Sequence, residues 1–99
     1  MSYRVWVDPP ALKEAQRTPG NVRQRIKKAM LALQYEPRPH NSNGLEWPPE
    51  NFEPRRMKIG KWRIIYAVND PEKWVEILAI RKRPPYNYDD LAKLLSRLD

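Results

Sequence analysis

The sequence predicts an α+β fold: an N-terminal strand, a helical pair, then an antiparallel three-strand meander that completes a four-stranded twisted sheet, with a short C-terminal helix. Three observations carry this reading. Residues 55–83 are rich in β-branched and aromatic side chains, and Gly60 and Asn69-Asp70-Pro71 punctuate them where a meander must turn. Val22, Ile26, Ala29, Met30 and Leu33 recur at the spacing of one helical face. Tyr3, Val5 and Val7 alternate with Arg4, Trp6 and Asp8 in the period of a strand. The 99 residues make one domain, and with 40% hydrophobic residues they can fill a single modest core without a metal or a disulfide.

Taken in order, the first strand ends at Asp8-Pro9-Pro10. Asp8 is placed to cap a short helix over about Pro9 to Arg17, because proline is tolerated at a first helical position whose N–H would be unpaired anyway. Thr18-Pro19 repeats that start signal for a longer helix, which Glu36-Pro37 stops, since the residue before proline is steered away from helical angles. The segment from Arg38 to Pro54 is rich in proline and lacks periodicity, so it reads as an ordered surface loop anchored by Leu45, Trp47 and Phe52. Strands follow over about Arg55–Ile59, Lys61–Val68 and Lys73–Arg81. The middle one is apolar on both sides, with Trp62, Ile64, Tyr66 and Val68 opposed to Arg63, Ile65 and Ala67, which marks it as central. Leu91, Leu94, Leu95 and Leu98 form the stripe of a last helix capped by Asp89 or Asp90. The helical pair is expected to cover one face of the sheet and leave the other partly open for a partner or substrate.

A net charge of +7 and a pI of about 9.9 on so small a chain point to a polyanionic partner: nucleic acid, an anionic membrane or an acidic protein. The basic helices lack Trp or Phe on an apolar face, which disfavours the membrane. The N-terminal MSYRVWVDPP has neither a signal-peptide core nor a membrane span, so a cytoplasmic location is expected. The single histidine and the lack of cysteine exclude multi-His zinc sites, thiolate sites and Cys-His pairs, so no metal and no small-molecule cofactor is expected. His40 reads as a solvated loop residue, and Trp47, Trp62 and Tyr66 as core and loop anchors rather than base-stacking platforms. The cations are different. Arg56 and Lys58 share a strand face, Arg63 follows the turn at Gly60, and Arg81-Lys82-Arg83 ends the last strand, with Tyr86 and Tyr88 just beyond. If the strands are neighbours, these groups gather at one end of the sheet.

Residues 56–66, RMKIGKWRIIY, resemble the R-x-R/K-hydrophobic-G-x-Y/W-R-hydrophobic-hydrophobic-Y signature of the RelE/ParE superfamily of bacterial type II toxins, and residues 75–83, VEILAIRKR, resemble that family's last core strand. The resemblance covers nearly the whole chain. It implies a ribosome-dependent mRNA endonuclease held inactive by a cognate antitoxin, an acidic and partly helical protein, with mRNA on the ribosome as substrate. It also implies a catalytic set of Arg56, Lys58, Arg63 and Arg83 with Tyr88 or Tyr86, flanked by Lys61, Arg81, Lys82 and Tyr86 as RNA contacts. Arg63 would hold the phosphate, Lys58 and Arg56 would stabilise developing charge, and Arg83 would stand near the leaving oxygen. The spacing from Arg83 to the tyrosine departs from the family's, which leaves both tyrosines open, and the C-terminal histidine of some endonuclease relatives is absent. Two other functions share these features: a ParE-like gyrase poison, and a non-catalytic basic domain that binds nucleic acid or an antitoxin.

Overall fold

The computed structural model describes residues 2–98. Alternation at the N-terminus produces β1 (Arg4–Val7), whose Val5 and Val7 pack inward. Helix α1 (Pro9–Gln16) follows, with proline in its first turn as expected. Its cap differs from expectation: Asp8 occupies the N-cap position without a side-chain cap bond, and its buried carboxylate lies 3.9 Å from Arg97 instead. Helix α2 (Gly20–Ala32) is preceded by Pro19, not Thr18, as its N-cap. The Thr18 hydroxyl turns back and donates to the Ala15 carbonyl at 2.7 Å, closing α1. Ile26, Met30 and Leu33 are buried beneath α2, on the face the periodicity selects.

The sheet has five strands, not four. Residues Ser42–Gly44, inside the segment read as loop, form β2 and pair antiparallel with β3 (Glu53–Ile59). Three small polar residues carry no strand signal of their own; they pair because β3 offers an open edge of backbone donors and acceptors. Ser42 fixes the register by donating to Pro39 O at 2.7 Å and accepting from Arg55 Nη2 at 2.8 Å. The rest of the loop behaves as predicted, with Leu45, Trp47 and Phe52 packed against the core.

Strands β4 (Trp62–Asn69) and β5 (Trp74–Lys82) complete the meander, within two residues of the expected limits. The strand order is β1-β5-β4-β3-β2, and β1 joins β5 in parallel, so the sheet is mixed. Gly60, at φ +58°, makes the turn between β3 and β4. Central β4 divides the core as its alternation predicts. Ile64, Tyr66 and Val68 face α1 and α2, while Ile65 and Ala67 face the short helix α3 (Leu91–Leu95) and the anchored loop. Each fully buried large apolar side chain is worth about 1.5–3 kcal/mol, so β4 and β5, both rich in them, are firmly held. The second face is therefore covered at its middle, and what remains open is the end that carries the cations. Among the described residues no helix is long and apolar enough to cross a membrane.

The buried Tyr66 hydroxyl donates to the Pro37 carbonyl at 2.8 Å and ties the loop to the central strand. Tyr66→Phe should lower unfolding stability by about 1–3 kcal/mol, read as a lower urea midpoint at unchanged slope, because a buried acceptor loses its partner. An unchanged midpoint would contradict this role.

Candidate anion-binding site

Register builds the site. Lys58 stands opposite Arg63 across β3 and β4, and Arg63 stands opposite Arg81 across β4 and β5. Residues directly opposite in an antiparallel ladder share a face, and Arg56, two residues before Lys58, shares it too. Beyond β5 the Arg83 N–H donates to the Lys61 carbonyl at 2.8 Å, which keeps the chain beside the Gly60 turn. The chain then passes Pro84-Pro85 and returns two tyrosines to the same region. The Tyr88 ring centroid lies 5.5 Å from the Arg56 guanidinium and 5.0 Å from that of Arg83, and the Tyr88 hydroxyl accepts from Arg56 Nη1 at 3.3 Å. Tyr88 holds φ at +66°, a backbone conformation uncommon for a bulky residue.

Countercharge separates the cations into two groups. Among the described residues, carboxylates pair with Arg38, Arg55, Arg81 and Arg97, but not with Arg56, Lys58, Arg63 or Arg83. Arg63 Nη1 donates to the Gly60 and Trp62 carbonyls at 2.9 and 3.0 Å, while the Nε atoms of Arg63 and Arg56 are buried without an acceptor. Those buried Nε atoms, like that of carboxylate-paired Arg55, lie out of reach of an incoming ion, so the Nη groups are the donors suited to an anion's oxygens. Arg81 belongs to the other group. Its Nε lies 2.6 Å from Glu14 Oε2 and its Nη1 lies 2.9 Å from Asp90 Oδ2. Burial alone would lower the Arg81 pKa, but the two carboxylates outweigh it and the net shift is upward.

Tyr86 donates to Asp90 Oδ1 at 2.6 Å. Burial first, then this bond to a carboxylate, pushes its phenol well above the usual tyrosine value, so Tyr86 is a hydrogen-bond donor and not a base. Burial opposes ionisation of Asp90, yet the Tyr86 hydroxyl and Arg81 together hold its carboxyl below the usual carboxylate range.

The structure thus brings Arg56, Lys58, Arg63, Arg83 and Tyr88 to one face. Arg81 and Tyr86 adjoin them but are tied to carboxylates. Lys61 is exposed on the turn, and Lys82, opposite Trp62, leaves the strand towards the α1–α2 side. Two participants escaped the sequence reading. Asp90, one of two proposed helix caps, makes no side-chain cap bond. Glu14 gave one signal, a charged residue on the inward stripe of Ala11 and Ala15. Clefts of about 350 and 250 Å³ lie away from the cation patch, around Trp6 and Trp74 and around Phe52 and Asn69. Such a patch can hold a phosphodiester, neutralise the charge that develops on it, and orient a hydroxyl through Tyr88.

A family model described as the ParE toxin of the type II toxin-antitoxin system parDE matches residues 5–84, a stretch that includes all four unpaired cations and stops short of both tyrosines. No curated protein matches the sequence. Among solved structures, a chain of the archaeal RelE-RelB complex from Pyrococcus horikoshii OT3 has a TM-score of 0.78 at 29% identity, covering 87% of this chain and 100% of that one. An arginine-to-alanine double variant of E. coli RelE in the free state gives 0.71 at 23% identity, covering 100% of both chains. A chain of the RelBE2 toxin-antitoxin complex from Mycobacterium tuberculosis gives 0.69 at 19% identity, covering 84% of this chain and 100% of that one. The last two likenesses speak to the fold alone.

Because the folded Asp90 pKa is depressed, the stability it contributes is present above the usual carboxylate range and is lost as pH falls through the lowered value. The urea midpoint of the wild type should exceed that of Asp90→Asn at neutral pH, and the two should converge below about pH 4. A constant gap down to the lowest pH would contradict the assignment.

Proposed function

This chain belongs to the RelE/ParE superfamily of type II toxins, and from that premise we propose that it is a metal-independent mRNA endonuclease acting on the ribosome in the cytoplasm. The observation that carries the reading is the set of Arg56, Lys58, Arg63 and Arg83 on one face without a carboxylate partner among the described residues, with Tyr88 between two of them. In the reaction the 2′-hydroxyl gives its proton to water as its oxygen bonds to phosphorus, the bond from phosphorus to the 5′-oxygen breaks, and the departing oxygen takes a proton from water, leaving a 2′,3′-cyclic phosphate and a 5′-hydroxyl. Arg63, its Nη1 engaged by the Gly60 and Trp62 carbonyls, brings the remaining Nη2 and a permanent charge to a phosphate oxygen. Lys58 and Arg56 offset the charge that accumulates in the transition state, Arg83 stands by the leaving oxygen, and Tyr88 orients the attacking hydroxyl. The patch supplies charge, and the ribosome is proposed to hold the RNA in line for attack.

The partner proposed for the idle state is an acidic, partly helical antitoxin that covers the open end of the sheet and neutralises its cations. Solved relatives include RelE-RelB complexes from P. horikoshii and E. coli. One finding favours a second reading: the family description for residues 5–84 names ParE toxins, and ParE-like members poison DNA gyrase.

Inducible expression in bacteria separates the readings. The proposal expects growth arrest with translating mRNAs cut at codon boundaries; DNA damage with intact mRNA would support gyrase poisoning, and unaffected growth and mRNA would leave a non-catalytic binding domain. Arg63→Ala should stay folded and lower cleavage by about 10²–10³-fold, the usual loss for one group that stabilises transition-state charge. A folded, fully toxic Arg63→Ala protein would remove Arg63 from the site.

A further inference from the structure

Tyr86 and Tyr88 meet edge to face, with ring centroids 4.8 Å apart and planes inclined at 67°. Behind Tyr86 runs an unbroken series of short polar contacts. Its hydroxyl is held by Asp90 at 2.6 Å, Asp90 is held by Arg81 at 2.9 Å, and Arg81 is held by Glu14 at 2.6 Å. The other oxygen of Glu14 accepts the Ile80 N–H at 3.0 Å, on the stretch of β5 that β1 does not reach. The series therefore starts on a buried strand and ends on the ring that touches Arg56 and Arg83.

We infer that Tyr86, Asp90, Arg81 and Glu14 act as positioning residues for Tyr88, and that Arg81 serves this relay instead of binding RNA phosphate. The inference rests on the RNA-cleavage reading for its catalytic consequence. Charge decides the role of Arg81. One guanidinium faces two carboxylates at under 3 Å, so its charge is already offset and its Nε and Nη1 donors are engaged before any phosphate arrives. Tyr88 needs such support because it lies outside regular secondary structure, at a left-handed φ, with a hydroxyl far from its backbone. Displacing a reacting or orienting group by about 1 Å can cost on the order of 10²-fold in rate.

The test uses Tyr86→Phe, which keeps the ring and its edge contact but removes the hydroxyl, together with Asp90→Asn. Single-turnover cleavage of mRNA on ribosomes should slow by about tenfold in both, while the toxin concentration for half-maximal rate changes by less than about twofold. Asp70→Asn, which breaks the 2.9 Å pair with Arg38 away from the site, should leave both parameters unchanged. Full rates in Tyr86→Phe and Asp90→Asn would overturn the inference, as would a loss confined to the half-maximal concentration, which would make Tyr86 a direct RNA contact. If the wild type cuts no RNA, the cleavage reading fails separately, and the ring NMR signals of Tyr88 decide the positioning claim. They should shift and average towards those of free tyrosine in both variants while the sheet amides stay in place; unchanged ring signals would overturn it.

Discussion

Like charges set opposite one another across hydrogen-bonded strands repel, and much of this structure answers that repulsion. Lys58, Arg63 and Arg81 form one row across β3, β4 and β5, an arrangement that costs several tenths of a kcal/mol or more per directly opposed pair. The molecule relieves it selectively. Arg81 receives two carboxylates, and Arg56 and Arg83 both contact the Tyr88 ring, each contact worth about 0.5–1 kcal/mol where exposed. Lys58 and Arg63 receive no carboxylate among the described residues. The tightly buried β4, with Ile64, Ile65 and Tyr66 shielded on both faces, offsets what the row costs. An unrelieved pair of cations facing each other across β3 and β4 is what an anion site requires, because the ligand supplies the missing countercharge.

Much of this was legible in the sequence because periodicity reports burial. The two faces of β4, the inward stripe of α2 and the anchors of the proline-rich loop follow from which positions are apolar, and the structure has them as read. Strand β2 was not legible, since Ser42, Asn43 and Gly44 owe their pairing to the exposed edge of β3 and not to their own preferences. Caps failed for a related reason. Asp8, Thr18 and Asp90 are all sound cap residues, yet each has a longer-range or alternative partner that competes for its oxygen.

The site divides along the same line. That the cations gather at one end of the sheet follows from their two-residue spacing and the antiparallel order. That Arg81 differs from Arg83, and Tyr86 from Tyr88, does not, because it depends on Glu14 in α1 and Asp90 at the start of α3. Contacts spanning 67 residues leave no local pattern. Membership of the RelE/ParE superfamily fixes the fold and the toxin class; the assignment of chemistry rests on which cations are left without a countercharge.

That division is open to direct observation. Arginine Nε–H signals can be followed by NMR while a short RNA, made resistant to cleavage by 2′-O-methylation, is titrated in. Arg56, Arg63 and Arg83 should shift together with one affinity that weakens as salt is raised, while Arg81 stays fixed by its two carboxylates. Arg81 moving with the others, or shifts limited to Arg23 and Arg25 on α2, would contradict the account.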